Sequence, residues 1–156
     1  MRRNGGFTLI ELIVVLIIIG VVFLVTYPRL GGLMSGRKLM RVTAELAARL
    51  DYVRSRAVAE RTVYRVEFNR SENKYRVSWQ ENTGTIEGRW EGLPEFVSIK
   101  RIKQENINYR RGQSAIDFYP RGNSTGAEIE LETDRGDRSS ILVKSYTGRC
   151  RVEREE

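Results

Sequence analysis

Hydrophobic and polar positions divide this chain into three regimes. From Phe7 to Tyr27 the sequence is an apolar run broken by a single charge, Glu11. From about Lys38 to Glu60, the apolar residues Leu39, Val42, Leu46, Leu50, Val53 and Ala57 recur at spacings of three and four. That spacing predicts a helix with one buried stripe, and Arg41, Glu45, Arg49, Arg56 and Glu60 fall largely off it. After Thr62 the period drops to two, the signature of half-buried strands.

The strand region reads in pairs. Thr62–Asn69 sets Tyr64, Val66 and Phe68 against Val63, Arg65 and Glu67, and Lys74–Gln80 carries Tyr75, Val77 and Trp79 on one face. Arg70–Asn73 between them is a turn, which predicts a hairpin. Residues 81–94 are polar and glycine-bearing, a loop holding a short strand around Thr85–Trp90. Phe96–Lys100 and Ser114–Tyr119 are further strands, with a turn at Pro120–Asn123. Ala127–Thr133 alternates with Ile129 and Leu131 inward and Glu128, Glu130 and Glu132 outward. A turn at Asp134–Asp137 leads to a partner strand, Ser140–Tyr146. One long helix followed by short antiparallel strands predicts an α+β fold, with the sheet packed on the amphipathic half of the helix.

The apolar half-helix changes where the rest must lie. Twenty-one helical residues from Phe7 to Tyr27 rise roughly 30 Å, the thickness of a bilayer's hydrocarbon core. Arg2 and Arg3 favour a cytoplasmic N-terminus, which places everything after Pro28 on the other side. A secretory signal fits poorly, because Phe23–Tyr27 is bulky where a cleavage site needs small residues. A carboxylate in such a helix costs about 2.5–3.5 kcal/mol, so Glu11 needs a partner, unless it snorkels to the interface. Pro28 lacks an amide proton and is expected to kink the helix, and Gly31, Gly32 and Gly36 loosen the stretch just outside the membrane.

Composition narrows the chemistry. The 156 residues include 27 basic and 20 acidic side chains, no histidine and one cysteine, Cys150. About 120 residues after the apolar helix make one small domain. The absence of histidine excludes Ser-His and Cys-His catalysis and histidine metal sites. A lone cysteine forms no internal disulfide. No nucleophile–base set can be assembled, so the chain reads as a non-enzyme with no cofactor and no metal.

The segment GGFTLIEL resembles the class III leader of type IV pilins and type II secretion pseudopilins. The resemblance implies cleavage by a prepilin peptidase between Gly6 and Phe7 and N-methylation of Phe7. Glu11 sits where that family keeps its glutamate, and Pro28 where many members have a kinking proline. The resemblance also gives Glu11 its partner, the new amine of Phe7 on a neighbouring subunit. In the body, AIDFYPRGNSTGAEIELETDRGDRSSILVKSYTGRCRV and the helix end RSRAVAERTVYRV are similar to the GspH/FimT family of minor pilins and pseudopilins. That likeness implies a type IV pilin-like fold in three parts: a cleaved leader (1–6), a transmembrane and filament-core helix (7–36), and a periplasmic domain including the amphipathic half-helix (37–156). It implies a single-pass protein of the bacterial inner membrane. Its partners would be the prepilin peptidase, other pseudopilins or pilins, and an inner-membrane assembly platform. The leading function is a structural minor pseudopilin of type II secretion, near the pseudopilus tip.

The alternative is a type IV pilus minor pilin that takes up DNA. Gly148-Arg149-Cys150-Arg151 fits the GRxR pattern of competence-associated members, and guanidinium forks suit phosphates. Lys144, Tyr146 and the basic group Lys100, Arg101, Lys103, Arg110 and Arg111 are candidate helpers, whereas Glu153, Glu155 and Glu156 oppose them. Metal ligation by Glu128, Glu130 and Glu132, or calcium at Asp134 and Asp137, is outweighed by a solvated sheet face and an ordinary turn. Trp79 and Trp90 read as core or interface anchors.

Overall fold

The structure, a computed structural model, describes residues 8–104 and 113–154, with the helix side chains given up to Phe23 and again from Ser35. The chain divides into two compact units, Met1–Met34 and Ser35–Glu156. Helix α1 is assigned from Leu9 to Ala59. Its first turn is capped by Thr8, whose Oγ1 accepts the Glu11 N–H at 3.3 Å, the T-x-x-E spacing of a capping box. In the first unit every described side chain of α1, Leu9–Phe23, is exposed. Among the described residues no helix is long and apolar enough to cross a membrane. Gly6, Phe7, Arg110 and Arg111 lie outside the described residues, and so does the side chain of Pro28, where the kink is expected.

In the second unit the helical stripe is buried as the spacing requires: Leu39, Val42, Leu46, Leu50, Val53 and Ala57 are all in the core. Buried Thr43 turns its hydroxyl back to the Leu39 carbonyl at 2.9 Å, so no polar group is stranded. The helix stops because Arg61 adopts φ +52° and Thr62 N–H returns to the Ala57 carbonyl at 3.2 Å. This is a Schellman-type end made without glycine.

The strands are β1 (Tyr64–Asn69), β2 (Lys74–Glu81), β3 (Gly84–Glu87), β4 (Glu91–Gly92), β5 (Val97–Lys103), β6 (Gln113–Phe118), β7 (Ala127–Thr133), β8 (Arg138–Val143) and β9 (Cys150–Arg154). They form two antiparallel sheets rather than one. The first has the order β3-β2-β1-β6, with β4 also paired to β2, and the second runs β5-β7-β8-β9. Tyr64, Val66 and Phe68 from β1 and Ile129, Leu131 and Ile141 from β7 and β8 join the helical stripe in one hydrophobic cluster. Tyr64 stacks on Trp79 at 5.7 Å, which makes Trp79 part of that packing.

The β1–β2 turn ties the sheets together. Asn73, in the β1–β2 turn with φ +54°, donates Nδ2 to the Val97 carbonyl at 2.6 Å and accepts the Ile99 N–H on Oδ1 at 3.1 Å. Arg70 from the same turn donates to the Lys100 carbonyl at 2.7 Å. A side-chain amide thus occupies the outer edge of β5 as a neighbouring strand would.

Candidate functional site

The two regions singled out by sequence lie in different units. At the first, Glu11 stands in the opening turn of α1, where a carboxylate also complements the positive end of the helix. Its side chain is exposed and free to meet a second molecule. The expected partner amine at Phe7 lies outside the described residues.

At the second, the GRxR segment forms the loop and first residues of β9. Gly148 has φ +59° and is buried; a Cβ there would sit 2.6 Å from the Gly122 carbonyl oxygen and 3.0 Å from Arg54 Cδ. The loop closes on itself, with Gly148 N–H donating to the Lys144 carbonyl at 2.7 Å and Lys144 N–H to the Arg149 carbonyl at 3.0 Å. Arg54, on the helix, donates Nε to the carbonyls of Thr147 at 2.6 Å and Gly122 at 3.0 Å, clamping the two loops. One turn away, Asp51 accepts the Cys150 N–H at 3.1 Å. The glycine of the motif is therefore a packing requirement. Arg54 and Asp51 escaped the sequence reading, since nothing in the spacing of polar residues on a helix marks one as a loop clamp.

The arginines of the motif differ from the glycine. Arg149 is exposed, and Arg151 is 70% exposed with Glu153 at 3.7 Å. Tyr146, at the loop tip, is 94% exposed. The helper group is different again. Lys100 meets Glu132 at 2.7 Å, Arg101 meets Glu130 at 2.9 Å and Lys103 meets Glu128 at 3.2 Å, so these cations are spent on the neighbouring strand. A bulge between Ile99 and Arg101 puts Lys100 and Arg101 within reach of the same glutamate row. It also corrects the expectation of a solvated face at Glu130. That residue does face away from the core, but only 6% of its side chain is exposed beneath Arg101 and Lys100.

Among the remaining candidates, Asp137 and Trp90 have structural partners. Asp137 accepts from Ser35 at 2.5 Å and from Thr133 at 3.2 Å, so it ties the β7–β8 turn to the helix. No cluster able to hold a metal occurs among the described residues. Trp90 lies partly exposed under the Arg76 guanidinium, 4.7 Å from the ring centroid. Cys150 is half-buried; burial first, and then the nearby Asp51 carboxylate, push its thiol up to about 12, so it stays protonated and unreactive.

Comparison with known proteins gives matches over most of the chain. Residues 1–27 match the family model of the prokaryotic N-terminal methylation motif, and residues 42–148 match that of type II transport protein GspH. Over 150 residues the chain is 27% identical to type II secretion system protein H of Xanthomonas campestris pv. campestris, across 96% of this chain and 83% of that protein. The fold is similar to that of the minor pseudopilin EpsH from the Type 2 Secretion System of Vibrio cholerae. There the TM-score is 0.59 at 9% identity, over 72% of this chain and 93% of that one. It is also similar to the type IV minor pilin FimU of Pseudomonas aeruginosa, with a TM-score of 0.52 at 15% identity, over 73% of this chain and 91% of that one.

Proposed function

The chain belongs to the type II transport protein GspH family, whose members are structural minor pseudopilins and not enzymes, and on that premise we propose that it helps to build the pseudopilus that exports proteins across the outer membrane. The precursor sits in the inner membrane by its apolar half-helix, with the body from residue 37 in the periplasm. Prepilin peptidase cuts after Gly6, and Phe7 is methylated. The subunit then leaves the membrane for the filament through an inner-membrane assembly platform. Glu11 neutralises the Phe7 amine of a neighbouring subunit as the helices pack, and Pro28 supplies the bend that packing needs.

The observation that carries this reading is the contrast within α1. The stripe from Leu39 to Ala57 is buried by the protein's own sheets, while the described side chains from Leu9 to Phe23 are exposed, Leu9 at 78% and Phe23 at 68%. So much contiguous apolar surface is unstable in water and calls for lipid or other helices. The test is Glu11→Val. Membrane insertion is expected to survive and incorporation into the filament to be lost; normal incorporation would sink the assembly role. A Gly6→Ala precursor is expected to remain uncut.

A second reading rests on Arg149, Arg151 and Tyr146, which stand exposed beside the Gly148 loop and suit a polyanion with stacking bases. It makes the protein a type IV pilus minor pilin that binds DNA. Salt-sensitive binding that disappears in Arg149→Ala/Arg151→Ala would favour it over the secretion role.

A further inference from the structure

The two ends of the second sheet differ. At β5 the outer edge is filled by Asn73 and Arg70. At β9, among the described residues, no further strand is paired on the outer side. Just before β9 the Arg149 carbonyl accepts from Lys144 N–H, and within it the Glu153 carbonyl accepts from Ser139 Oγ at 3.2 Å, so residues 149, 151 and 153 turn their backbone groups toward β8. By alternation, Cys150, Val152 and Arg154 turn theirs outward. The Cys150 N–H is already taken by Asp51, and among the described residues its carbonyl, both groups of Val152 and the Arg154 N–H have no partner.

We propose that this edge docks a second copy of the chain, strand β9 pairing antiparallel with the partner's β9 about a two-fold axis at Val152. In that register Val152 exchanges both backbone hydrogen bonds with its equivalent. The Cys150 carbonyl receives the N–H of the partner's Arg154, and the reverse. Arg151 comes opposite the partner's Glu153, and Glu153 opposite the partner's Arg151. Both side chains lie on the solvent face, 70% and 47% exposed, and only 3.7 Å separates them within one strand, so they can reach across without disturbing the core.

The charges also reject the neighbouring registers. Sliding by two residues one way sets Arg151 against the partner's Arg151; sliding the other way sets Glu153 against the partner's Glu153. Like charges directly opposite one another are destabilising, so the sequence selects one self-pairing. This complementarity is what commits the edge to a second copy and not to an unrelated strand. The pairing does not depend on the secretion role. With five residues per strand it is a weak, reversible contact.

The test uses the full chain in detergent micelles, followed by sedimentation velocity at low salt. Arg151→Glu alone and Glu153→Arg alone are each expected to raise the dissociation constant about tenfold, since each altered pair occurs twice across the axis. The double reversal R151E/E153R restores opposite charges and is expected to restore the dimer. Val152→Pro removes the central donor at an edge position where proline is tolerated, and is expected to weaken the pair in both charge backgrounds. Thermal melts of each variant confirm the fold. The proposal is overturned by a chain that stays monomeric up to its solubility limit. It is equally overturned by association through the apolar helix that ignores the charge reversals, or by a double variant as weak as the singles.

Discussion

Replacing Gly148 by alanine separates the structural part of the GRxR motif from any binding part. At φ +59° an L-residue costs about 1–2 kcal/mol. The new Cβ would also press on the Gly122 carbonyl oxygen at 2.6 Å, and that carbonyl accepts a hydrogen bond from Arg54 at 3.0 Å. Relief requires the loops to part, which weakens a charge-assisted bond worth roughly 1.5–3 kcal/mol. The sum is about 3 kcal/mol, or roughly a 10 °C fall in Tm for a domain of this size. Gly136→Ala is the matched control: its φ is +86°, but nothing lies within 4 Å of its Cβ, so only the backbone cost of about 1–2 kcal/mol applies. Arg149→Ala, at an exposed position, is expected to stay within about 0.5 kcal/mol of the parent. Urea unfolding of the compact unit from Ser35 onward measures all three. Equal losses at Gly148 and Gly136 would refute the clamp, and a stable Gly148→Ala protein would refute the whole account.

Two further outcomes concern the second sheet and its last strand. Arg101→Ala strips the cation from the buried Glu130 carboxylate, leaving only Lys100 at 3.9 Å, and is expected to cost about 1–3 kcal/mol. Glu130→Gln, which removes the buried charge itself, is expected to cost less in the same unfolding assay; the reverse order would refute the pairing. At high pH, Cys150 holds its proton in the folded state up to about 12, whereas the unfolded thiol releases it from its ordinary 9.0. The raised value therefore adds stability that is complete below pH 9 and is lost as pH rises toward 12. Between pH 9 and 10 the decline in urea midpoint should flatten in Cys150→Ser, and an unchanged slope would remove the effect. Above that range Tyr64 and Tyr75, also raised to about 12 mainly by burial, take over.

The parts of the fold that keep strict periods were legible in the sequence. The helical stripe, the β1–β2 hairpin and the inward set of β7 stand where spacing put them, because one face of each element meets the core. Where the period is interrupted, the reading stopped short. Strand β5 runs on past Lys100 to Lys103 because a bulge absorbs one residue, and a bulge erases the alternation that betrays a strand. Strand β8 ends at Val143 rather than Tyr146, since residues 144–149 close a tight loop on Arg54. Strand β9, with Arg151, Glu153 and Arg154, has the composition of a polar tail and is a strand only because β8 pairs with it. The division into two sheets was likewise invisible, and so was the Asn73 amide that links them from a distant turn. At the candidate sites, motif and family resemblance pointed to the leader and the GRxR segment, but the seat of Gly148 against Arg54 is visible only in the fold.

The Asn73 clasp closes the β5 end of the second sheet to a further strand. A sheet with two open ends can add molecules without limit, which is the route to fibres. Here a newcomer at β5 would first have to evict a side chain that satisfies both a carbonyl and an amide of that strand. Strand addition at the β5 end of the second sheet is thereby disfavoured.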